Sequence, residues 1–84
     1  MINPITVMTD KVMNMVKSMV VLSMRVSYRR GATPEDISGF LMEWTPSEQA
    51  IYHVGLVERA LTDLERDGAV RRAGARWYPV GLVA

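Results

Sequence analysis

Residues 57–72 read VERALTDLERDGAVRR, and this stretch decides the fold. Val57, Leu61 and Leu64 recur at spacings of four and three, which is the period of one buried face of an α-helix. Gly68 follows the last of them, and glycine readily takes the left-handed conformation that ends a helix. An apolar residue and two arginines come next, as in a short half-buried strand. The stretch therefore predicts a helix that turns directly into a β-strand.

A β-hairpin is predicted for residues 69–79, immediately after that helix. Two short runs, AVRR and ARWYP, flank a glycine turn at Gly74. Val70 and an aromatic residue are the expected inward side chains, and Pro79 closes the second strand because it lacks a backbone N–H.

Two Thr-Pro dipeptides mark the starts of two helices upstream. Thr33 precedes proline and two acids, a capping residue followed by groups that suit the first turn, so helix two is predicted over residues 34–43. Thr45 has a glutamate three residues later, the spacing of a capping box, so helix three is predicted over residues 46–67.

The N-terminal third predicts one long helix over residues 4–30, from Pro4 to the glycine at Gly31. Its apolar residues form two stripes. The seam stripe, with heptad spacing, consists of Met8, Val12, Met15, Met19, Leu22 and Val26. The second stripe consists of Met13, Val16, Val20 and Met24. So wide an apolar surface suits a helix that packs on its own domain and on a partner, so we predict a homodimer with the seam stripe as its interface.

The length of 84 residues suits a single domain, residues 1–84. The chain has no cysteine and one histidine, so neither a disulfide nor a metal site is predicted. The residue types needed for a nucleophile with its base, or for a glycine-rich phosphate loop, are not grouped anywhere, so we expect no enzyme activity and no cofactor.

The most apolar stretch, residues 13–24, contains polar residues and is shorter than the roughly 20 apolar residues of a membrane span. Residues 1–10 lack the positive start of a signal peptide. We therefore expect no membrane association and a cytoplasmic location.

Charge is unevenly distributed, although the net charge is only +1. Between Gly31 and Gly68 there are eight acidic residues and only two arginines. The basic residues lie on the flanks, at the end of the first helix and on the hairpin.

Residues 57–72 resemble the helix-to-wing junction of winged helix-turn-helix DNA-binding domains in small bacterial, archaeal and phage-type regulators, where an A-L-x-x-L-E-x-x-G-hydrophobic-V run joins the recognition helix to the wing. The resemblance extends more loosely back to Thr33. It implies an α+β, mostly α fold in which three helices precede a C-terminal β-hairpin wing, here combined with the long N-terminal helix whose apolar stripes predict dimerisation. The segment 43–55 is longer than the corresponding segment usually is in that family. Its extra residues either lengthen helix three or form a separate short helix.

The resemblance also implies double-stranded DNA as the partner, and it suggests three groups of contact residues. The wing offers Arg71, Arg72 and Arg76. Helix three offers Ser47, Gln49, Tyr52, His53 and Arg59. The end of helix one offers Arg25, Arg29 and Arg30.

Structural roles are the alternative for each group. The hairpin arginines could serve only solubility, Tyr52 could be partly buried, and the helix-one arginines suit the negative end of a helix dipole. Three further aromatic residues that could stack on bases are interpreted as packing residues instead; they are Trp44, Trp77 and Tyr78.

We therefore expect a small sequence-specific DNA-binding protein, a dimeric transcriptional regulator. Its compactness and the lack of a sensor domain favour a phage or another mobile element as its source. The alternative is a winged-helix protein-interaction module, an adaptor or an inhibitor of a nucleic-acid machine, that acts through its acidic middle.

Overall fold

The architecture was obtained from a computed structural model, which describes residues 4–45 and 52–80, with the side chains of the first helix described from Asp10 onward. The elements in chain order are α1 (Pro4–Ser27), α2 (Pro34–Trp44), α3 (Val54–Arg66), β1 (Val70–Ala73) and β2 (Arg76–Pro79). Three helices followed by an antiparallel hairpin make a mostly helical α+β arrangement that is compatible with a winged helix.

The start of α2 follows the sequence prediction closely. The Thr33 hydroxyl accepts a hydrogen bond from the Asp36 backbone N–H at 3.1 Å, and the Asp36 carboxylate accepts one from the Thr33 N–H at 3.1 Å. This reciprocal pair is a capping box, and it satisfies two N–H groups that a helix end would otherwise leave unpaired.

The start of α3 differs from the prediction, because the helix begins at Val54 and not at Pro46. His53 is the N-cap residue in extended conformation, and its Nδ1 accepts from the Leu56 N–H at 3.2 Å. Tyr52 lies outside the helix with its carbonyl bonded to the Ser38 hydroxyl, so tertiary contacts fix this end. Thr45, the predicted capping residue of helix three, is the C-cap of α2, and its hydroxyl donates to the Leu41 carbonyl at 2.6 Å. Residues 46–51, which include the glutamate of the predicted capping box, lie outside the described residues.

The core forms where the second stripe of α1 meets the other two helices. Val16, Val20 and Met24 are fully buried. They pack in one cluster with residues from α2, α3, the hairpin and the connecting segments: Ala32, Ile37, Leu41, Tyr52, Val57, Ala60, Leu61, Leu64, Val70 and Trp77. Complete burial of an aliphatic side chain contributes about 1.5–3 kcal/mol, so this stripe fixes the orientation of α1.

The seam stripe, in contrast, lies beside the buried stripe on α1 and is largely exposed, except for Met19, which is partly buried against the core. Val12 and Met15 are each 38% exposed, Leu22 is 53% exposed and Val26 is 64% exposed. The Met8 side chain lies outside the described part of the helix. The difference in exposure between the two stripes thus agrees with the prediction that only one of them packs on the domain. The partner of the seam stripe stays a prediction.

The hairpin is joined to the segment between α1 and α2. Ala32 forms a bridge with Trp77, through N–H to carbonyl bonds of 2.9 Å and 2.8 Å in the two directions. Ala32 therefore lies on the edge of β2 that faces away from β1. Pro79, two residues after Trp77, points its nitrogen to that same outer edge, so its missing N–H leaves the β1–β2 ladder intact.

In the described ranges, 4–45 and 52–80, no helix combines the length and the apolar content that crossing a bilayer requires.

Candidate nucleic-acid interface

The register of the hairpin divides its three arginines between two faces. Directly paired residues share a face, and the pairs are Arg71 with Tyr78, Arg72 with Trp77, and Ala73 with Arg76. Because side chains alternate along a strand, Arg71 and Arg76 lie on one face and Arg72 on the other. The sequence prediction grouped all three, and the structure separates them.

The face with Arg71 and Arg76 lies against the end of α1. Arg76 Nη1 donates a hydrogen bond to the Gly31 carbonyl at 3.2 Å. The Tyr78 ring packs so closely on Gly31 that a Cβ there would come within 2.6 Å of the tyrosine Cε1. The Arg71 guanidinium lies over the same ring, 4.6 Å from its centroid, in cation–π geometry. The hairpin arginines are thereby positioned beside the backbone that follows α1.

Two more arginines directly precede Gly31. Arg29 Nε donates to the Arg25 carbonyl at 2.8 Å, which satisfies one of the free carbonyls at the helix end. Arg30 is exposed, as is Arg25 one turn earlier. We refer to four residues as the arginine cluster: Arg29, Arg30, Arg71 and Arg76.

The charges of the arginine cluster have no carboxylate partner within 4 Å in the described part of the chain. The ion pair among the described residues joins Lys17 Nζ to Asp67 Oδ2 at 2.8 Å and involves no member of the arginine cluster. A guanidinium has five N–H donors, and Arg29 and Arg76 each use one of them on a backbone carbonyl. Most donors of the arginine cluster can therefore reach an external anion.

Arg72 lies in a different environment, on the other face of the hairpin. Its Nε donates to the Gly74 carbonyl at 3.0 Å, and its guanidinium lies 5.7 Å from the Trp77 ring centroid. It lines a groove between the start of α2, the exposed side of α3 and the hairpin, which also carries Glu35 and Glu58. We call this the acidic groove, because its two carboxylates outnumber its single cation.

Helix three offers fewer exposed candidate contact residues than the sequence predicted. Tyr52 is a corrected prediction: its side chain is only 1% exposed and belongs to the core, since burial of an aromatic ring contributes more than a surface contact would. His53 is exposed but engaged in capping α3. Arg59 is exposed, next to Glu58. Ser47 and Gln49 lie outside the described residues.

The aromatic residues interpreted as packing residues have different outcomes. Trp77 is buried and Tyr78 is half-buried beneath Arg71. Trp44 is the exception, because it is 68% exposed and stacks on Phe40 with ring centroids 5.4 Å apart.

Electrostatic coupling also links α2 to the end of α1. Burial raises the pKa of the Tyr28 hydroxyl above 10.0, and the negative charges of Asp36 and Glu43 raise it further. The hydroxyl donates to the Asp36 carbonyl at 3.2 Å, and the ring meets Phe40 edge to face. Asp36 borders the end of α1 through this bond, and Glu43, seven residues later in α2, lies on the same side of that helix.

Sequence reasoning missed the positioning role of Gly31, which it treated only as the end of a helix. The contact that matters joins Gly31 to residues 45 to 47 positions later. A local signal did exist for the pairing of Arg71 with Tyr78, since a two-residue turn at Gly74-Ala75 fixes the register.

No protein-family model, characterised protein or solved structure matches this chain. The case for a winged-helix relationship therefore rests on residues 57–72 and on the order of the elements.

Proposed function

We propose that this domain is a winged-helix nucleic-acid-binding module that contacts the phosphate backbone of double-stranded DNA through the arginine cluster. One observation carries the proposal. The hairpin brings Arg76 and, through Tyr78, Arg71 to Gly31, which Arg29 and Arg30 directly precede in the chain, and none of the four has a carboxylate partner among the described residues.

The chemistry of these side chains suits phosphate. A guanidinium presents a planar set of donors that matches two phosphate oxygens at once. The Tyr78 ring contacts the flat face of the Arg71 guanidinium, which leaves the N–H donors at the edge of the guanidinium free. Arg76 is held by its bond to Gly31. Side chains fixed in this way lose less conformational entropy on binding.

Regulation of transcription would require base readout in addition. Within the described residues, Arg59 and His53 are the predicted base-contacting side chains that are exposed. Glu58 beside them repels phosphate. In this proposal the arginine cluster provides most of the affinity and α3 provides the discrimination between sequences.

The test is a salt titration of binding to a short labelled duplex, followed by fluorescence anisotropy. Four phosphate contacts predict that log K falls with log salt with a slope of roughly −3.6, and removal of two contacts by Arg71→Ala with Arg76→Ala predicts roughly −1.8. Arg66→Ala with Lys11→Ala is the matched control, because it removes the same charge from exposed positions outside the arginine cluster. We expect this control to leave the slope within about 0.5 of the wild-type value.

Two results would contradict the proposal. The first is an absence of duplex binding at the lowest salt concentration. The second is a control pair that lowers the slope as much as the pair in the arginine cluster, because binding would then depend on net charge alone.

The second candidate function is a protein-interaction module, and the acidic groove favours it. Glu35, Glu58 and Arg72 lie between the start of α2, α3 and the hairpin, where carboxylates disfavour a phosphate backbone and favour a basic peptide. The same titration separates the two functions, since failure to bind any duplex at low salt would favour the protein partner.

A further inference from the structure

An apolar surface runs along α1 and continues onto the end of α2. We call it the α1–α2 face, and it consists of Val12, Met15, Met19, Leu22, Val26, Phe40 and Trp44. Leu22, Val26 and Trp44 are each more than half exposed. A shallow groove between the two helices lies at its centre, and this groove has the Phe40–Trp44 stack as one wall. The sequence predicted only the α1 part of this surface.

The size of the α1–α2 face suits a protein interface. Its exposed apolar area is roughly 500 Å², because a large side chain presents about 150–250 Å² when fully exposed and these are one third to two thirds exposed. Patches of this size on monomers often have a function, and one side of a standard interface buries about 800 Å².

Charged residues border the face on both long edges and at the same end. Arg25 lies on the edge away from α2, where it lines a shallow surface with Asn14, Ser18 and Leu22. Glu43 is exposed on α2 and directly precedes Trp44, which lines the groove from the α2 side. Trp44 lines the groove together with Leu22 and Val26, and Arg25 lies between these two residues in α1, so the two opposite charges lie at a similar level along the helix.

Two-fold symmetry turns this layout into a choice of orientation. If the two-fold axis runs parallel to α1, the two α1 helices are parallel and each edge meets the opposite edge of the other copy, so Arg25 meets Glu43. If the axis is perpendicular to α1, the two α1 helices are antiparallel. Each edge then faces the same edge of the other copy, which runs in the opposite direction. Arg25 then approaches Lys11, which lies on the same edge two heptads earlier. The first orientation pairs opposite charges, and the second opposes like charges.

We propose that a second copy of this chain covers the α1–α2 face, with the two α1 helices parallel and with Arg25 of each copy paired with Glu43 of the other. Each Trp44 then lies at the boundary between the copies and is protected from solvent. This arrangement places both arginine clusters at the same end of the dimer. The proposal does not depend on nucleic-acid binding, because its test measures only self-association.

The first experiment is sedimentation equilibrium of the full chain over micromolar to submillimolar concentrations. We expect a monomer–dimer equilibrium, and we expect Leu22→Glu to raise the dimer dissociation constant more than 100-fold, because it introduces a charge at the centre of an apolar contact. Ala73→Glu is the matched control, since it places the same charge on an exposed position of β1 that belongs neither to the face nor to its charged edges. It is expected to change the dissociation constant less than about threefold. Circular dichroism is used to check that both variants are folded.

The second experiment tests orientation by charge exchange. Arg25→Glu and Glu43→Arg each replace two attractive pairs by repulsive ones, so each is expected to raise the dissociation constant about tenfold. The double variant restores opposite charges in the parallel dimer and is expected to return to within about threefold of wild type.

A monomer at every concentration would overturn the proposal and would leave another protein as the occupant of the face. A dimer that tolerates Leu22→Glu would place the interface elsewhere and overturn it as well. A dimer that Leu22→Glu disrupts but that charge exchange fails to restore would overturn the parallel orientation.

Discussion

Gly31 is the position where one added methyl group should damage both the fold and the candidate site. Its φ of +100° lies in a region that L-residues rarely adopt, and its missing Cβ leaves the space that the Tyr78 ring occupies. In Gly31→Ala the new Cβ would lie 2.6 Å from Tyr78 Cε1 and 2.8 Å from Cζ, well inside contact distance. The ring must therefore move, and Arg71 rests on that ring.

The expected magnitude has two parts. The unfavourable φ costs about 1–2 kcal/mol for alanine. Displacement of the ring from a close-packed position costs about 1–3 kcal/mol more. The sum, about 2–5 kcal/mol, is a large fraction of the stability of a small domain. Urea unfolding followed by circular dichroism measures it directly, and the melting temperature should fall by about 10 °C or more.

Gly68→Ala is the control that separates strain from steric overlap. Gly68 has a similar φ of +81°, but no heavy atom lies within 4 Å of its added Cβ, so about 1–2 kcal/mol is expected. In a Tyr78→Ala background, Gly31→Ala should likewise cost only the strain. Equal costs for the two glycine variants, or an unchanged cost without the tyrosine ring, would refute the reasoning.

Two further predictions concern α2 and its contact with α1. The pKa of Tyr28 is raised in the folded domain by burial and by the charges of Asp36 and Glu43. The contribution of this group to stability is therefore complete below about pH 10 and is lost as the pH rises through the folded pKa. Tyr28→Phe should reduce the alkaline fall in the free energy of unfolding, measured by urea titration at several pH values, and an unchanged fall would contradict this assignment. Gly39 lies exposed inside α2 with no heavy atom within 4 Å of an added Cβ, so Gly39→Ala should raise the free energy of unfolding by about 0.5–1 kcal/mol, and destabilisation in the same measurement would show that the space is occupied.

Local chemistry explains which parts of the fold the sequence predicted. Thr33 and Gly68 act on backbone groups within a few residues, so the start of α2 and the end of α3 follow from short motifs. The periodicity of α1 correctly separated the more buried stripe from the more exposed one, because the seam stripe repeats over about five turns and the second stripe over about three.

Non-local contacts explain what the sequence did not predict. The start of α3 is set by the burial of Tyr52 and by its bond with Ser38, 14 residues earlier, and no short motif encodes that contact. The bridge between Ala32 and Trp77 consists of a single residue pair in the described sheet, too short for any alternation of apolar residues to indicate it.

The candidate site was predicted residue by residue but not as an arrangement. The arginines stood out by composition, while the separation of Arg72 from its neighbours depends on strand alternation. The union of Arg71 and Arg76 with the end of α1 depends on the docking of the hairpin, which the core of Val70 and Trp77 determines. Tyr52 was misplaced because the same residue type serves in base contacts and in cores.

The structural and functional interpretations of these arginines are compatible, and the end of α1 shows why. A helix C-terminus presents unpaired carbonyls and partial negative charge, so it stabilises nearby cations without any carboxylate. Arg29 bonds to the Arg25 carbonyl and Arg76 to the Gly31 carbonyl, and these contacts offset the mutual repulsion of the arginine cluster. A carboxylate in the same place would have paired with the guanidinium groups and occupied the donors that an external phosphate needs. Backbone carbonyls bind two members of the cluster and leave its net charge positive, which favours the binding of an anion such as phosphate.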